Sequence, residues 1–153
     1  PSYKDNLNWN DLNNFDGVFV TAADHLILQY CRKAKVLAGT PRIGMNIIKQ
    51  AKVKLDILIS SKLDPAEKIG TIEESINPTF RIETEGELGG VIFPGGKYSA
   101  YKINKEKVID TYGCGDSFAA GVTAGLSAKL KIDEAVKIGA YLGAQCSTNF
   151  GPY

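Results

Sequence analysis

The chain has 153 residues, 44% hydrophobic and 23% charged, and its formal net charge is +1. This is enough for one domain with a sizeable core, while a balance so near neutral offers no basic block for nucleic acid and no bulk field to draw in an acidic ligand. Three widely spaced cysteines, Cys31, Cys114 and Cys146, with no CxxC pair, argue against a disulfide framework and a zinc site and fit a reducing cytoplasm. No apolar run approaches the ~20 residues of a membrane helix and no signal peptide is visible, so neither nucleic acid nor membrane is expected as a partner. A start at Pro1 rather than methionine suggests a processed product or a fragment.

Residues 1–14 are polar and asparagine-rich, and read as a loop or weak edge segment whose Trp9 docks on the body. Phe15 to Val20 reads as a strand, and Ala23 to Ala34, with Leu26, Ile27, Tyr30 and Cys31 at helical spacing, as an amphipathic helix. Val36 to Ala38, Asn46 to Ala51 and Leu55 to Ile59 continue as strand, helix and strand. This alternation predicts a parallel sheet, with ligands gathered beyond the carboxyl ends of its strands. The loops to watch are therefore Thr21 to Asp24, Gly39 to Arg42 and Ser60 to Asp64.

Asp64 and Pro65 suit the N-cap and first position of a short helix from Ala66 to Ile69. After Thr79 come short β runs at Phe80 to Thr84, Gly90 to Phe93 and Tyr98 to Ile103, the last two joined by the hairpin signal Pro94-Gly95-Gly96-Lys97. Lys107 to Asp110 reads as extended. Two helices close the chain: a small-residue helix beginning near Asp116, and one from Asp133, as N-cap, to Cys146. The two are expected to pack together.

The chemistry concentrates at Ile109 to Leu126, IDTYGCGDSFAAGVTAGL. Gly113 and Gly115 free the backbone so that successive amides can aim at one point, and the helix that follows adds its positive end, which makes an anion cradle. The plain reading of Asp116 is an N-cap. A carboxylate beside an anion site is repelled, however, so it makes better sense as a proton acceptor, and donors paired with a base suit phosphoryl transfer. A thiol nucleophile at Cys114 is disfavoured despite the helix start that lowers a thiol pKa, because the only histidine, His25, lies in another segment. Lys62 and Arg42 sit on crevice loops within reach of a phosphate, although such charges are commonly just solvated.

Asp110 to Gly121, DTYGCGDSFAAG, resembles the C-terminal signature of the ribokinase family of carbohydrate kinases, with every fixed position met. Three weaker matches stand in the family's order. Thr84-Glu85-Gly86-Glu87-Leu88-Gly89 resembles the loop along the nucleotide phosphates. Ser61-Lys62-Leu63-Asp64 takes the place of an Asn-x-x-Glu motif that organises magnesium, and Asn149-Phe150-Gly151 falls where the last helix ends over the nucleotide.

The resemblance implies a parallel-sheet, three-layer α/β ribokinase-like fold with a terminal antiparallel β part, the whole of 1–153 being the C-terminal part of a single kinase domain. It implies transfer of the ATP γ-phosphoryl group, with Mg²⁺ and in many members K⁺, to a small-molecule sugar or related alcohol. Asp116 would take the hydroxyl proton, and the amides of Gly113, Cys114 and Gly115 would hold the transferred group. Thr84 and Gly86 would meet the nucleotide phosphates, and Gly89 and Asn149 would shape the nucleotide pocket. Asp64 would act on Mg²⁺ through water, its side chain being shorter than the family's glutamate, and Asp110 would lie at the monovalent-cation site. The family's N-terminal half and its β-sheet lid, where most of the sugar site lies, are not expected within this length, so the chain by itself is expected to give no turnover. A homo-oligomer of a full-length protein is compatible with the resemblance. Two other readings stand beside it: a catalytically silent nucleotide-binding or structural fragment, and a nucleoside or vitamin kinase of the same superfamily.

Overall fold

A computed structural model describes residues 1–68 and 76–151. Among these residues six strands form one sheet in chain order: β1 (Gly17–Val20), β2 (Val36–Gly39), β3 (Ile57–Ser61), β4 (Phe80–Thr84), β5 (Gly90–Phe93) and β6 (Lys97–Tyr98). The first four are parallel, and β5 and β6 return antiparallel, as the alternation and the hairpin signal predict. The helices are α1 (His25–Cys31), α2 (Met45–Ala51), α3 (Cys114–Ser127) and α4 (Ile132–Cys146).

Strand periodicity divides the apolar residues between two cores, because successive side chains leave opposite faces of the sheet. Val20, Leu37 and Leu58 join Ile27, Leu28, Ile48 and Leu55 on the α1/α2 side. Ala38, Ile57, Ile59, Ile82 and Ile92 meet Phe118, Val122, Ala135 and Val136 on the α3/α4 side. The result is three layers. Strand β3 is buried along Ile57 to Ser60, which is why it reads as a continuous apolar run rather than an alternation. Trp9 packs partly buried against the α1/α2 core, so the polar N-terminal segment does dock by its tryptophan, within a 3₁₀ turn over Trp9–Asn14.

Asp24 starts α1: its Oδ1 accepts from the Ile27 amide at 2.9 Å, while Oδ2 accepts from the Tyr3 amide at 2.7 Å and ties down the N-terminal segment. At the opposite end of the strands Arg32 donates to Asp56 at 2.6 Å and to the carbonyls of Ala34, Lys35 and Lys54, and Asp56 accepts from the Leu37 amide. One guanidinium thereby satisfies the amino ends of β2 and β3, which lie far apart in sequence.

Several boundaries differ from the sequence reading. β6 ends at Tyr98 instead of continuing to Ile103, and Lys105–Lys107 is a 3₁₀ turn capped by Asn104 rather than an extended segment. The turn after Asp64 is a 3₁₀ turn over Pro65–Glu67, and Ile69, its expected end, lies outside the described residues. Asp133 does not cap α4. The cap is Lys131, two residues earlier, so the helix begins at Ile132, and the Glu134 carboxylate accepts from the Lys131 amide at 3.0 Å, fixing the start from inside the first turn.

Candidate active site

Because β1 to β4 are parallel, Val20, Gly39, Ser61 and Thr84 all end at one edge of the sheet. The direction of α3 decides whether the glycine turn belongs there. A side chain at Gly17, the first residue of β1, would meet Thr123 and Ser127 in the second half of α3. The helix therefore runs antiparallel to the strands, and its N-terminus rises at their carboxyl ends. A second tie is independent of this one. Thr84 pairs with Gly90, Gly90 pairs with Tyr98, and the Tyr98 ring stacks on Phe118 with centroids 5.8 Å apart. The loop Thr84 to Gly89 and the first turns of α3 are joined through that stack.

The helix starts two residues before the expected point. Gly113 is the N-cap with φ 81°, a left-handed conformation that a side chain resists, and Cys114 is the first helical residue. Among the described residues no acceptor bonds the amides of Gly113, Gly115 or Asp116, while that of Cys114 donates to the Thr111 carbonyl at 3.3 Å. Unbonded amides at a helix start are donors waiting for an anion. Gly115 faces open space, with nothing within 4 Å of where a Cβ would stand. Asp116 lies exposed in the first turn of the helix and does not occupy the N-cap position. The plain capping reading is thus replaced by a free carboxylate beside unbonded amides.

Thr84 ends β4, and a 3₁₀ turn over Gly86–Leu88 carries the chain to Gly89 at φ 95°. A Cβ there would collide with the Ser99 and Ala100 backbone, so this loop keeps its shape only with glycine at its end. Glu85, inside the loop, pairs with Lys62 from the β3 loop and lies near the Tyr98 phenol, whose pKa is pushed up by burial first and by Glu85 second.

Asp64 caps the Pro65–Glu67 turn, Oδ1 accepting from the Ala66 amide at 2.9 Å and Oδ2 from Arg42. Arg42 also donates to Glu67 at 2.6 Å, and Glu67 accepts from the Ser61 amide at 2.8 Å. Both oxygens of Asp64 are occupied, so direct magnesium ligation by it does not fit this arrangement. Among the described residues no group of three His, Cys, Asp or Glu converges to hold a metal. Lys62 and Arg42 are paired with carboxylates rather than simply solvated. Glu67 and Glu85, the acids that pair with them, were missed by the sequence reading. The acid three residues after Asp64 is a signal that spacing alone leaves ambiguous with a solvated turn.

Asp110 closes the base of the site. Oδ1 accepts from the Tyr112 amide at 2.9 Å and Oδ2 from the Gly151 amide at 3.2 Å, binding the turn to the segment that follows α4. Ile109 and Asp110 also donate to the Ser147 carbonyl. Asn149 donates its side-chain amide to Gln145 at 3.3 Å and is exposed beside this junction. The amides of Tyr112 and then Gly151 hold the Asp110 carboxyl below its ordinary value of 3.8. A depressed carboxylate pKa contributes stability above the ordinary value and loses it as pH falls through the lowered one. Asp110→Asn is therefore expected to be less stable than wild type at neutral pH, with the gap closing below pH 3.8. Urea unfolding across pH 2.5–7 checks this, and a gap independent of pH removes the carboxylate as its cause.

The solved structures agree on the fold. Ribokinase from Thermotoga maritima superposes with a TM-score of 0.69 at 20% identity, covering 97% of this chain and 56% of that one. The sequence profile described as "pfkB family carbohydrate kinase" matches residues 21–153, and the chain belongs to that family. An adenosine kinase of Schizosaccharomyces pombe is 41% identical over 66 residues, 41% of this chain and 19% of that protein. A fructokinase of Salmonella thompson is 31% identical over 83 residues, 54% of this chain and 37% of that protein. The chain thus spans about half of the solved relative and well under half of the curated ones. Among the described residues no helix is long and apolar enough to cross a membrane, and the three cysteines are free.

Proposed function

We propose that the protein carrying this chain transfers the γ-phosphoryl group of ATP to a hydroxyl of a sugar or sugar-like alcohol, and that residues 1–153 are the C-terminal, nucleotide-binding part of its single kinase domain. The observation that carries this is the start of α3, where unbonded amides and the exposed Asp116 carboxylate share one turn at the carboxyl edge of the sheet. As the acceptor oxygen attacks the γ-phosphorus, Asp116 takes its proton and the bond to the ADP oxygen breaks. The unbonded amides of Gly113 and Gly115 carry the charge that grows on the transferred group, and that of Cys114 joins them on leaving the Thr111 carbonyl. Thr84 and Gly86 approach the remaining phosphates, and Gly89 and Asn149 border the nucleotide. Magnesium accompanies ATP in this reading and offsets phosphate charge. Asp64 could act on it only through water, in competition with Arg42, and no step is assigned to it. Asp110 already serves two amides, so no step is assigned to a potassium ion there either.

The identity to adenosine kinase favours a second acceptor, the ribose hydroxyl of a nucleoside. ADP release with ATP and Mg²⁺, measured on the complete polypeptide against a panel of sugars and nucleosides, tests both. Turnover with one class is expected. ATP binding without turnover on any acceptor would leave a silent nucleotide-binding protein, and absence of ATP binding would overturn the reading altogether.

A further inference from the structure

Two thiols stand directly behind the turn just described, and no step above uses either of them. Cys114 opens α3 and Cys146 ends α4. The helices approach closely here because residue 143 has no side chain, and a Cβ on Gly143 would lie 2.9 Å from the Cys114 carbonyl oxygen. The Cys146 thiol donates to the Tyr112 carbonyl at 3.5 Å, which places it beside a residue two positions along the chain from Cys114. Both residues are partly exposed, whereas Cys31 is buried in the α1/α2 core. Burial, then Cys146 and Asp110, push the Cys114 thiol up to about 11, outweighing the helix start that would lower it. At neutral pH Cys114 rests as a thiol, and the Cys146 bond to Tyr112 helps to hold the turn in place.

We propose that Cys114 and Cys146 form a dithiol modification site, which a low-molecular-weight disulfide converts to an intramolecular disulfide that disables the adjoining anion cradle. The Cys146 thiolate attacks one sulfur of the small disulfide, forming a mixed disulfide and releasing one small thiolate. Cys114, having given up its proton, then attacks the Cys146 sulfur, forming the internal bond and releasing the second small thiolate. Two protein thiols are oxidised, one disulfide is reduced to two thiols, and the two protons pass to the leaving thiolates. The Tyr112 carbonyl loses its donor, and Cys114, whose amide belongs to the cradle, is tethered to α4. Loss of phosphoryl transfer rests on the kinase reading above; formation of the bond does not.

The test treats the complete polypeptide with glutathione disulfide, then combines non-reducing peptide mapping with ADP release. The expected result is one Cys114–Cys146 cross-link and a fall in turnover of about 10²-fold, the loss that removing a donor from an anion hole brings, restored by dithiothreitol. Cys146→Ser is expected to keep its basal turnover, form no cross-link and stay active under oxidant. Free Cys114 and Cys146 after treatment, or a cross-link that uses Cys31 or a second chain, overturns the site, and a correct cross-link with unchanged turnover overturns its effect. A reduced protein with no activity counts against the kinase reading alone, because the mapping still decides whether the bond forms.

Discussion

If Asp116 is the base, Asp116→Asn is expected to lower kcat of the complete protein by about 10²–10⁴-fold, the contribution of a positioned general base, while ATP affinity read by calorimetry is expected to stay near that of wild type. The asymmetry has a structural cause. Asparagine matches aspartate in size and sits in the first turn of α3, exposed and without a side-chain partner, so the substitution disturbs no packing. It removes one negative charge from a helix start, a stability change of about 0.3–1 kcal/mol at most. A large loss of turnover therefore cannot be charged to unfolding. Removal of an anion beside the phosphates also favours nucleotide binding, so weakened ATP affinity would point to a contact other than proton transfer. Near-normal turnover would remove Asp116 as the base.

Gly139→Val costs about 3 kcal/mol, the upper end of what overpacking a tight core contributes. A Cβ at Gly139 would stand 2.6 Å from the Val122 methyl and 2.7 Å from the Phe118 carbonyl oxygen. One of those neighbours is backbone inside α3, so the clash cannot be relieved by a rotamer. The same contact faces Gly121, where a Cβ would lie 2.9 Å from the Gly139 α-carbon, and the two helices touch through these glycines. Valine has a better intrinsic helix propensity than glycine by a few tenths of a kcal/mol, far too little to offset the clash. A drop in the urea midpoint with unchanged slope is the expected readout, and unchanged stability would mean that α3 and α4 are less closely packed than described. Gly115→Ala is the control within the same helix, since its Cβ meets nothing, and its stability is expected to hold or rise.

Element types were largely legible because each depends on neighbours in sequence. β3 carries a β-branched apolar run, β4 alternates apolar Phe80 and Ile82 with charged Arg81 and Glu83, and α1 has both its cap residue and its apolar spacing within a dozen positions. Boundaries were less legible. The segment after Tyr98 has apolar residues enough for a strand, but β6 sits at the sheet's edge and pairs with β5 over two residues only. Asp133 was expected as a cap from its residue type, yet Glu134 reaches back to the Lys131 amide and moves the cap by two positions.

At the site the division is similar. The glycine turn, its carboxylate and the likeness of Asp110 to Gly121 to the kinase signature were readable from spacing, since an anion cradle at a helix start is built from consecutive amides. Asp64 was readable as a cap for the same local reason. The pairing of Lys62 with Glu85 and of Arg42 with Glu67 was not, because each joins loops from different strands.

By itself the sequence determined the alternating α/β order and the family signature, and offered the glycines and carboxylate of Gly113 to Asp116, all of which rest on residues within one or two turns of one another. The tertiary structure alone decided that α3 runs against the strands, so that its N-terminus and the Thr84 to Gly89 loop share one edge. It also decided that the Cys146 thiol bonds the Tyr112 carbonyl beside Cys114 and that Asp110 clasps Gly151. These contacts join residues more than thirty positions apart, and they form only because burial of the two cores sets the helices against the sheet in a single direction and register.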